Sequence, residues 1–211
     1  MIASEGKKII GWTGFPVILI LISAFYFNFL ILKIIGIIGI CFTIFVIYFF
    51  RDPHREIPEG DNLILAPADG KIIVKRGIKI DNDENVLVSI FLSVFDVHAN
   101  RVPVTGIVTY VKYNKGKFLA AYNHKASDLN EQTEIHIQAG EKLVKVKQVA
   151  GFLARRILCY LKVGDNVTGG SRLGFILFGS RMDLILPVSA EIWVSVGERV
   201  KGGESIIGVL K

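Results

Sequence analysis

Two apolar stretches in the first fifty residues dictate that this chain folds in two dissimilar parts. Phe15 to Leu32 contains no charge, Lys33 interrupts, and Ile34 to Phe50 again contains none. Each run approaches the ~20 residues that cross a bilayer as a helix. A secretory leader would have a shorter apolar region ending at a small-residue cleavage site, whereas this one passes into Tyr48-Phe49-Phe50-Arg51-Asp52-Pro53. Interfacial aromatics followed by Arg51 and Arg55 mark a membrane edge, and Lys7 and Lys8 mark the other end of the segment. Both ends therefore face the cytoplasm, with the tip of a helical hairpin near Asn28 or Lys33; two helices dipping into one leaflet fit the same pattern. Residues 1–52 are expected to form this anchor, and 53–62, framed by Pro53 and Pro58, a linker.

From Leu63 the pattern is that of β structure. Leu63–Ala66, Lys71–Arg76, Val86–Leu92, Ile107–Tyr113, Thr133–Gln138 and Lys142–Val149 are short alternating or β-branched runs separated by Gly, Asn, Asp and Pro. Arg172–Phe178, Met182–Leu186, Glu191–Val196 and Ser205–Leu210 continue the series, a polar loop spans Lys115 to Gln132, and Leu153–Leu161 has room for a short helix. One element repeats: Val163-Gly164-Asp165-Asn166-Val167-Thr168-Gly169-Gly170 returns as Val196-Gly197-Glu198-Arg199-Val200-Lys201-Gly202-Gly203. The pattern resembles the biotinyl and lipoyl barrel sandwich, in which such turns join pseudo-symmetric strands. Ala66-Pro67-Ala68-Asp69-Gly70-Lys71-Ile72 is expected to pair in the same scheme with Leu186-Pro187-Val188-Ser189-Ala190-Glu191-Ile192. Residues 63–211 thus read as a mainly β, barrel-sandwich soluble domain behind the hydrophobic hairpin. The modifiable Lys of a carrier domain is missing, because the corresponding turn reads Gly179-Ser180-Arg181-Met182.

The net charge of +6 suits an anionic partner. With an anchor present, anionic membrane lipid fits better than nucleic acid, since each Lys or Arg near such a surface contributes ~1 kcal/mol and no basic helix with interleaved aromatics occurs. Cys41 and Cys159 read as free thiols facing a reducing compartment, and neither joins a metal-spaced cluster. Gly179-Ser180 permits two readings: a turn between strands, or a bond that the Ser hydroxyl attacks at its own preceding carbonyl. An N-to-O acyl shift followed by β-elimination and loss of ammonia would leave a pyruvoyl group in place of Ser180. His98, at a strand end, is either a structural residue or a proton carrier, its reference pKa being about 6.5; Asp96 could reach the same site if the strand bends. Asp69-Gly70 alone reads as a turn. His54 reads as interfacial, while His124 and His136 have no ligand spacing.

In order along the chain stand the apolar anchor, Phe49-Phe50-Arg51-Asp52-Pro53, Ala66-Pro67-Ala68-Asp69-Gly70, Phe95-Asp96-Val97-His98, Ala154-Arg155-Arg156-Ile157 and Phe178-Gly179-Ser180-Arg181. Together they resemble phosphatidylserine decarboxylase proenzymes of the short prokaryotic type. The resemblance implies self-cleavage at Gly179-Ser180 into a β chain, 1–179, and an α chain, 180–211, which stay together as a heterodimer or a higher oligomer. It implies a covalent pyruvoyl cofactor from Ser180, with neither metal nor pyridoxal phosphate, that forms a Schiff base with phosphatidylserine and releases phosphatidylethanolamine at the cytoplasmic face of the cell membrane. It assigns His98 to proton transfer and Asp69 to a Ser-protease-like arrangement with a His and Ser180. Longer members often carry a second His where this chain has Arg101; Arg101 stands as a substrate phosphate or carboxylate anchor or as a plain surface charge. Two other functions fit parts of the pattern: a pyruvoyl decarboxylase of a soluble amino acid, which leaves the anchor unexplained, and a non-enzymatic membrane-tethered adaptor, which would remain uncut.

Overall fold

A computed structural model describes residues 1–80, 83–116, 130–151, 156–177 and 180–211. The chain divides into two compact units, Met1–His54 and Arg55–Lys211.

The first unit is a pair of helices, α1 (Ser4–Phe27) and α2 (Leu30–Phe49). Asn28, at φ 53°, supplies the left-handed residue that reverses the chain, and Lys33 Nζ donates to its side-chain oxygen at 2.6 Å. The expected tip is thus realised at Asn28. At the open end Ala3 N–H donates to Phe50 O and Asp52 N–H to Met1 O, both at 2.7 Å. Trp12 and Phe25 remain 81% and 89% exposed, so the apolar surface faces outward in the way a lipid-embedded helix requires. Both helices are long and apolar enough to cross a membrane.

The second unit is mostly β. Its strands are β1 (Leu63–Leu65), β2 (Gly70–Ile80), β3 (Asp83–Leu92), β4 (Ala99–Arg101), β5 (Gly106–Asn114), β6 (Gln132–Ala139) and β7 (Lys142–Ala150). They continue as β8 (Ile157–Cys159), β9 (Asn166–Val167), β10 (Arg172–Ile176), β11 (Ser180–Pro187), β12 (Glu191–Ile192), β13 (Arg199–Val200) and β14 (Ile206–Val209). A curled eight-stranded sheet runs β13-β2-β3-β11-β7-β6-β5-β9, with two three-stranded sheets, β1-β14-β12 and β4-β10-β8. The core is filled from the inner face of the large sheet by Ile72, Ile90, Ile135, Val146, Met182 and Leu184, against Leu173 and Ile207 of the smaller sheets. Of the expected helix over Leu153–Leu161, residues 153–155 lie outside the described residues, and Ile157–Cys159 is instead β8, held antiparallel to β10. Most of the expected loop 115–132 also lies outside them.

The repeated octapeptides are two copies of one turn. Gly164 and Gly197 have φ of 95° and 98°, conformations that a residue with a Cβ resists. Each donates its N–H at 2.8 Å, Gly164 to Val108 O and Gly197 to Ile72 O. Each copy then pairs with an edge of the sheet, β9 with β5 and β13 with β2. This makes 102–108, Val-Pro-Val-Thr-Gly-Ile-Val, the counterpart of 66–72. Arg101 N–H donates to Pro67 O and Leu65 N–H to Pro103 O, both at 2.8 Å. Residues 186–192, expected to fill that place, form the end of β11, a turn and β12.

Backbone proximity also fixes Gly174 in β10, where an added Cβ would lie 2.0 Å from Leu158 O. A carbonyl in a strand ladder has little room to retreat, so Gly174→Ala should destabilise the soluble unit by about 3 kcal/mol. Chemical denaturation of the two proteins measures this, and an unchanged midpoint would contradict the packing described.

Candidate active site

Ser180 is the first residue of β11, the strand that occupies the middle of the large sheet. Its register places it opposite Leu92 of β3 on one side and Ala150 of β7 on the other. Both neighbours belong to the core, and directly opposed residues share a face, so the Ser180 side chain points inward. It is fully buried, and its Oγ has no hydrogen-bond partner among the described residues. Burying a hydroxyl without a partner costs roughly 1–3 kcal/mol, and Ser180 stands inside a central strand rather than in an exposed turn. Gly179 lies outside the described residues.

His98 belongs to the same end of the sheet. The chain leaves β3 at Leu92, opposite Ser180, turns through Ser93–Asp96 and reaches His98 immediately before β4. The imidazole is fully buried and packs at 6.3 Å from the Phe175 ring. Its Nδ1 is 2.9 Å from the Asp96 carbonyl oxygen. A carbonyl can only accept, so in the neutral ring Nδ1 carries the proton and Nε2 is the basic nitrogen. The Asp96 carboxylate does not serve the ring. Oδ2 accepts from Ser93 N–H at 2.8 Å and Ser93 Oγ–H at 2.7 Å, and Oδ1 accepts from Arg199. The expected reach of Asp96 into the site is therefore confined to its backbone.

Asp69 precedes β2, whose neighbour β3 ends beside Ser180, so it too stands at this end of the sheet. Its Oδ1 accepts from Arg55 Nη2 at 2.7 Å and from Gly202 N–H at 2.8 Å. The second bond has a counterpart in the other half, where Thr105 Oγ1 accepts from Gly169 N–H at 2.9 Å. Asp69 is thus a turn-stabilising residue by its contacts, with Oδ2 left out of both bonds. The structure brings Asp69, His98 and Ser180 to one end of the sheet but does not link the Asp69 carboxylate to His98. Arg101 is half-buried in β4 opposite Arg172, with its stem beside Gly203.

Asn100, Gln148 and Arg199 have no role at the site in the sequence reading, which takes Arg55 as a membrane-edge charge, whereas Arg55 is buried against Asp69. Asn100 lies two residues beyond His98, and Gln148 continues the inward-facing series Val144, Val146, Gln148, Ala150 of β7. A lone amide in an otherwise apolar alternation was the available signal. Arg199 lies in the second repeat, and its pairing with Asp96 is purely tertiary. Among the described residues no cluster of His, Cys, Asp and Glu is arranged to hold a metal ion.

The family model for phosphatidylserine decarboxylase matches residues 42–208. A phosphatidylserine decarboxylase proenzyme of Pelodictyon phaeoclathratiforme is 49% identical over 166 residues, covering 78% of each chain. That of Amoebophilus asiaticus is 42% identical over 213 residues, covering 98% of this chain and 95% of the relative. That of Chlorobium chlorochromatii is 41% identical over 211 residues, covering 99% of both.

Proposed function

The chain belongs to the phosphatidylserine decarboxylase family, and from that premise we propose that it is a self-processing, pyruvoyl-dependent carboxy-lyase that converts phosphatidylserine to phosphatidylethanolamine. The observation that carries the proposal is the inward-facing, unpartnered hydroxyl of Ser180 at the end of the sheet that also holds His98. In the proenzyme this hydroxyl attacks the preceding carbonyl, its proton leaves to a base, and the Gly179–Ser180 amide becomes an ester. Elimination then releases the carboxylate of Gly179. The dehydroalanine left at position 180 takes up water and loses ammonia, which creates the pyruvoyl group.

The residues fit that group. Position 180 lies between two core strands where bulk water is excluded, and no hydrogen bond to a described residue has to be broken to transform its side chain. A pyruvoyl group there supplies a ketone for the substrate amine and an adjacent carbonyl that accepts the electron pair released with CO2. His98, with Nδ1 committed to the Asp96 carbonyl, moves the proton at Nε2. Asp69 keeps Oδ2 outside the bonds to Arg55 and Gly202 as an acceptor for self-cleavage, while Arg101 is the cation for the substrate phosphate or carboxylate. Two helices long and apolar enough to cross a membrane support a location beside the bilayer, where a diacyl substrate is confined, and the basic residues flanking them support the cytoplasmic face.

Intact mass analysis tests the reading. Two fragments divided at Gly179-Ser180, the smaller lighter by one ammonia than hydrolysis would give, are expected; a single full-length species would overturn the self-processing. Release of CO2 from phosphatidylserine but not from free serine separates the lipid enzyme from a soluble amino-acid decarboxylase. The fragments should also stay associated. The 180–211 piece contains β11, paired along Ser180–Pro187 with β3 and along Ser180–Ile185 with β7, so both fragments should elute together under native conditions and separate only in denaturant. Spontaneous dissociation in buffer would contradict this strand order.

A further inference from the structure

Asn100 and Gln148 form a buried amide pair whose outstanding donor has no structural use. Both are fully buried, and Gln148 Nε2 donates to Asn100 Oδ1 at 2.9 Å and to Leu158 O at 3.3 Å. The Leu158 carbonyl fixes the orientation of both amides, because it can only accept. Nε2 must face it, so Asn100 must turn its oxygen toward Gln148. Asn100 Nδ2 is then directed away from Gln148, and neither it nor Gln148 Oε1 has a partner among the described residues.

The register puts this pair beside Ser180. Gln148 is directly opposite Met182 and Ala150 directly opposite Ser180, so Gln148 and Ser180 are diagonal neighbours on the inner face, ~7–8 Å apart at the backbone and within reach of a long side chain. Three polar groups without a partner among the described residues, Ser180 Oγ, Asn100 Nδ2 and Gln148 Oε1, are therefore gathered in the apolar interior at the end of the sheet that carries His98. Leaving several such groups unmet is costly, and a stability role alone would favour apolar replacements of the same shape.

We propose that Asn100 is a further catalytic residue of maturation: its Nδ2–H donates to the oxygen that becomes negative when Ser180 attacks the preceding carbonyl, and Gln148 is the positioning residue that holds the amide in that orientation. The inference rests on the self-processing described above. The donor moves no proton; it stabilises charge in a site sheltered from water, where a fixed dipole is most effective.

The test follows the full-length chain with time after synthesis, by intact mass, in the wild type, in Asn100→Ala and in the double variant Asn100→Leu with Gln148→Leu. Removing one preorganised donor should slow splitting about 10²–10³-fold. The double variant removes every unmet polar atom of the pair, so it should keep or raise the thermal midpoint of the wild type while splitting as slowly as Asn100→Ala. Splitting at the wild-type rate in either folded variant would overturn the proposal, and the single variant decides if the double one does not fold. A wild-type chain that never splits would instead overturn the self-processing itself.

Discussion

Ser180→Ala should remain one uncut chain of 211 residues and release no CO2 from phosphatidylserine. The expected effect is complete loss, because alanine has neither a nucleophile for the scission nor an oxygen from which a ketone could form. Folding should not suffer. Among the described residues the Ser180 hydroxyl has no hydrogen bond to lose, and its neighbours Leu92 and Ala150 are apolar, so the variant should match the wild type within about 1 kcal/mol or exceed it. Denaturation of the uncut variant should be compared with uncut wild-type chain caught early, since the mature protein unfolds as two pieces. Residual turnover in a variant verified by mass would remove Ser180 from the chemistry.

The large features of the fold are legible because they depend on pattern. Two charge-free runs force an apolar hairpin, and alternation marks the long strands that cover the core. Glycines at Gly164 and Gly197 announce turns that only positive φ can make. The shorter strands are not legible. β4 and β8 have three residues each and exist because β10 lies between them, so their own sequence carries little periodicity. The true counterpart of 66–72 was hidden for a related reason. Asp69 and Thr105 make the same bond to the turn glycine with different oxygens, and only Pro and Gly survive as identities between the two segments.

The site shows the same division. On their own residues Ser180 and His98 each kept a structural reading beside the chemical one, and the resemblance singled them out; the fold adds that both lie at one end of the large sheet. The commitments of carboxylates were not legible, because Arg199 and Arg55 reach Asp96 and Asp69 from distant parts of the chain. The two halves of the pseudo-symmetric unit differ in what they do with one position. Thr105 closes its turn with a neutral hydroxyl, whereas Asp69 closes its own with a charge and recruits Arg55, which also lies 3.5 Å from Glu204. The charged version stands at the end of the sheet that holds Ser180, so the two halves of the scaffold differ in charge at this one position.

His98→Asn should keep the fold and lose both maturation and turnover. The amide nitrogen of asparagine sits close to where Nδ1 stands and can still donate to the Asp96 carbonyl, now at 2.9 Å from the ring. What disappears is Nε2, the nitrogen able to take and return a proton, and with it a factor of about 10²–10⁴ in rate. Arg101 cannot substitute, since a guanidinium stays protonated throughout the working range. A chain with one such carrier at this end of the sheet should therefore show both defects together: accumulation of uncut protein over time, and slow CO2 release from the fraction that does split. Normalising turnover to the amount of 180–211 fragment separates the two. A folded His98→Asn that splits normally and fails only in turnover would restrict the residue to decarboxylation, and wild-type rates in both assays would exclude it from the reaction.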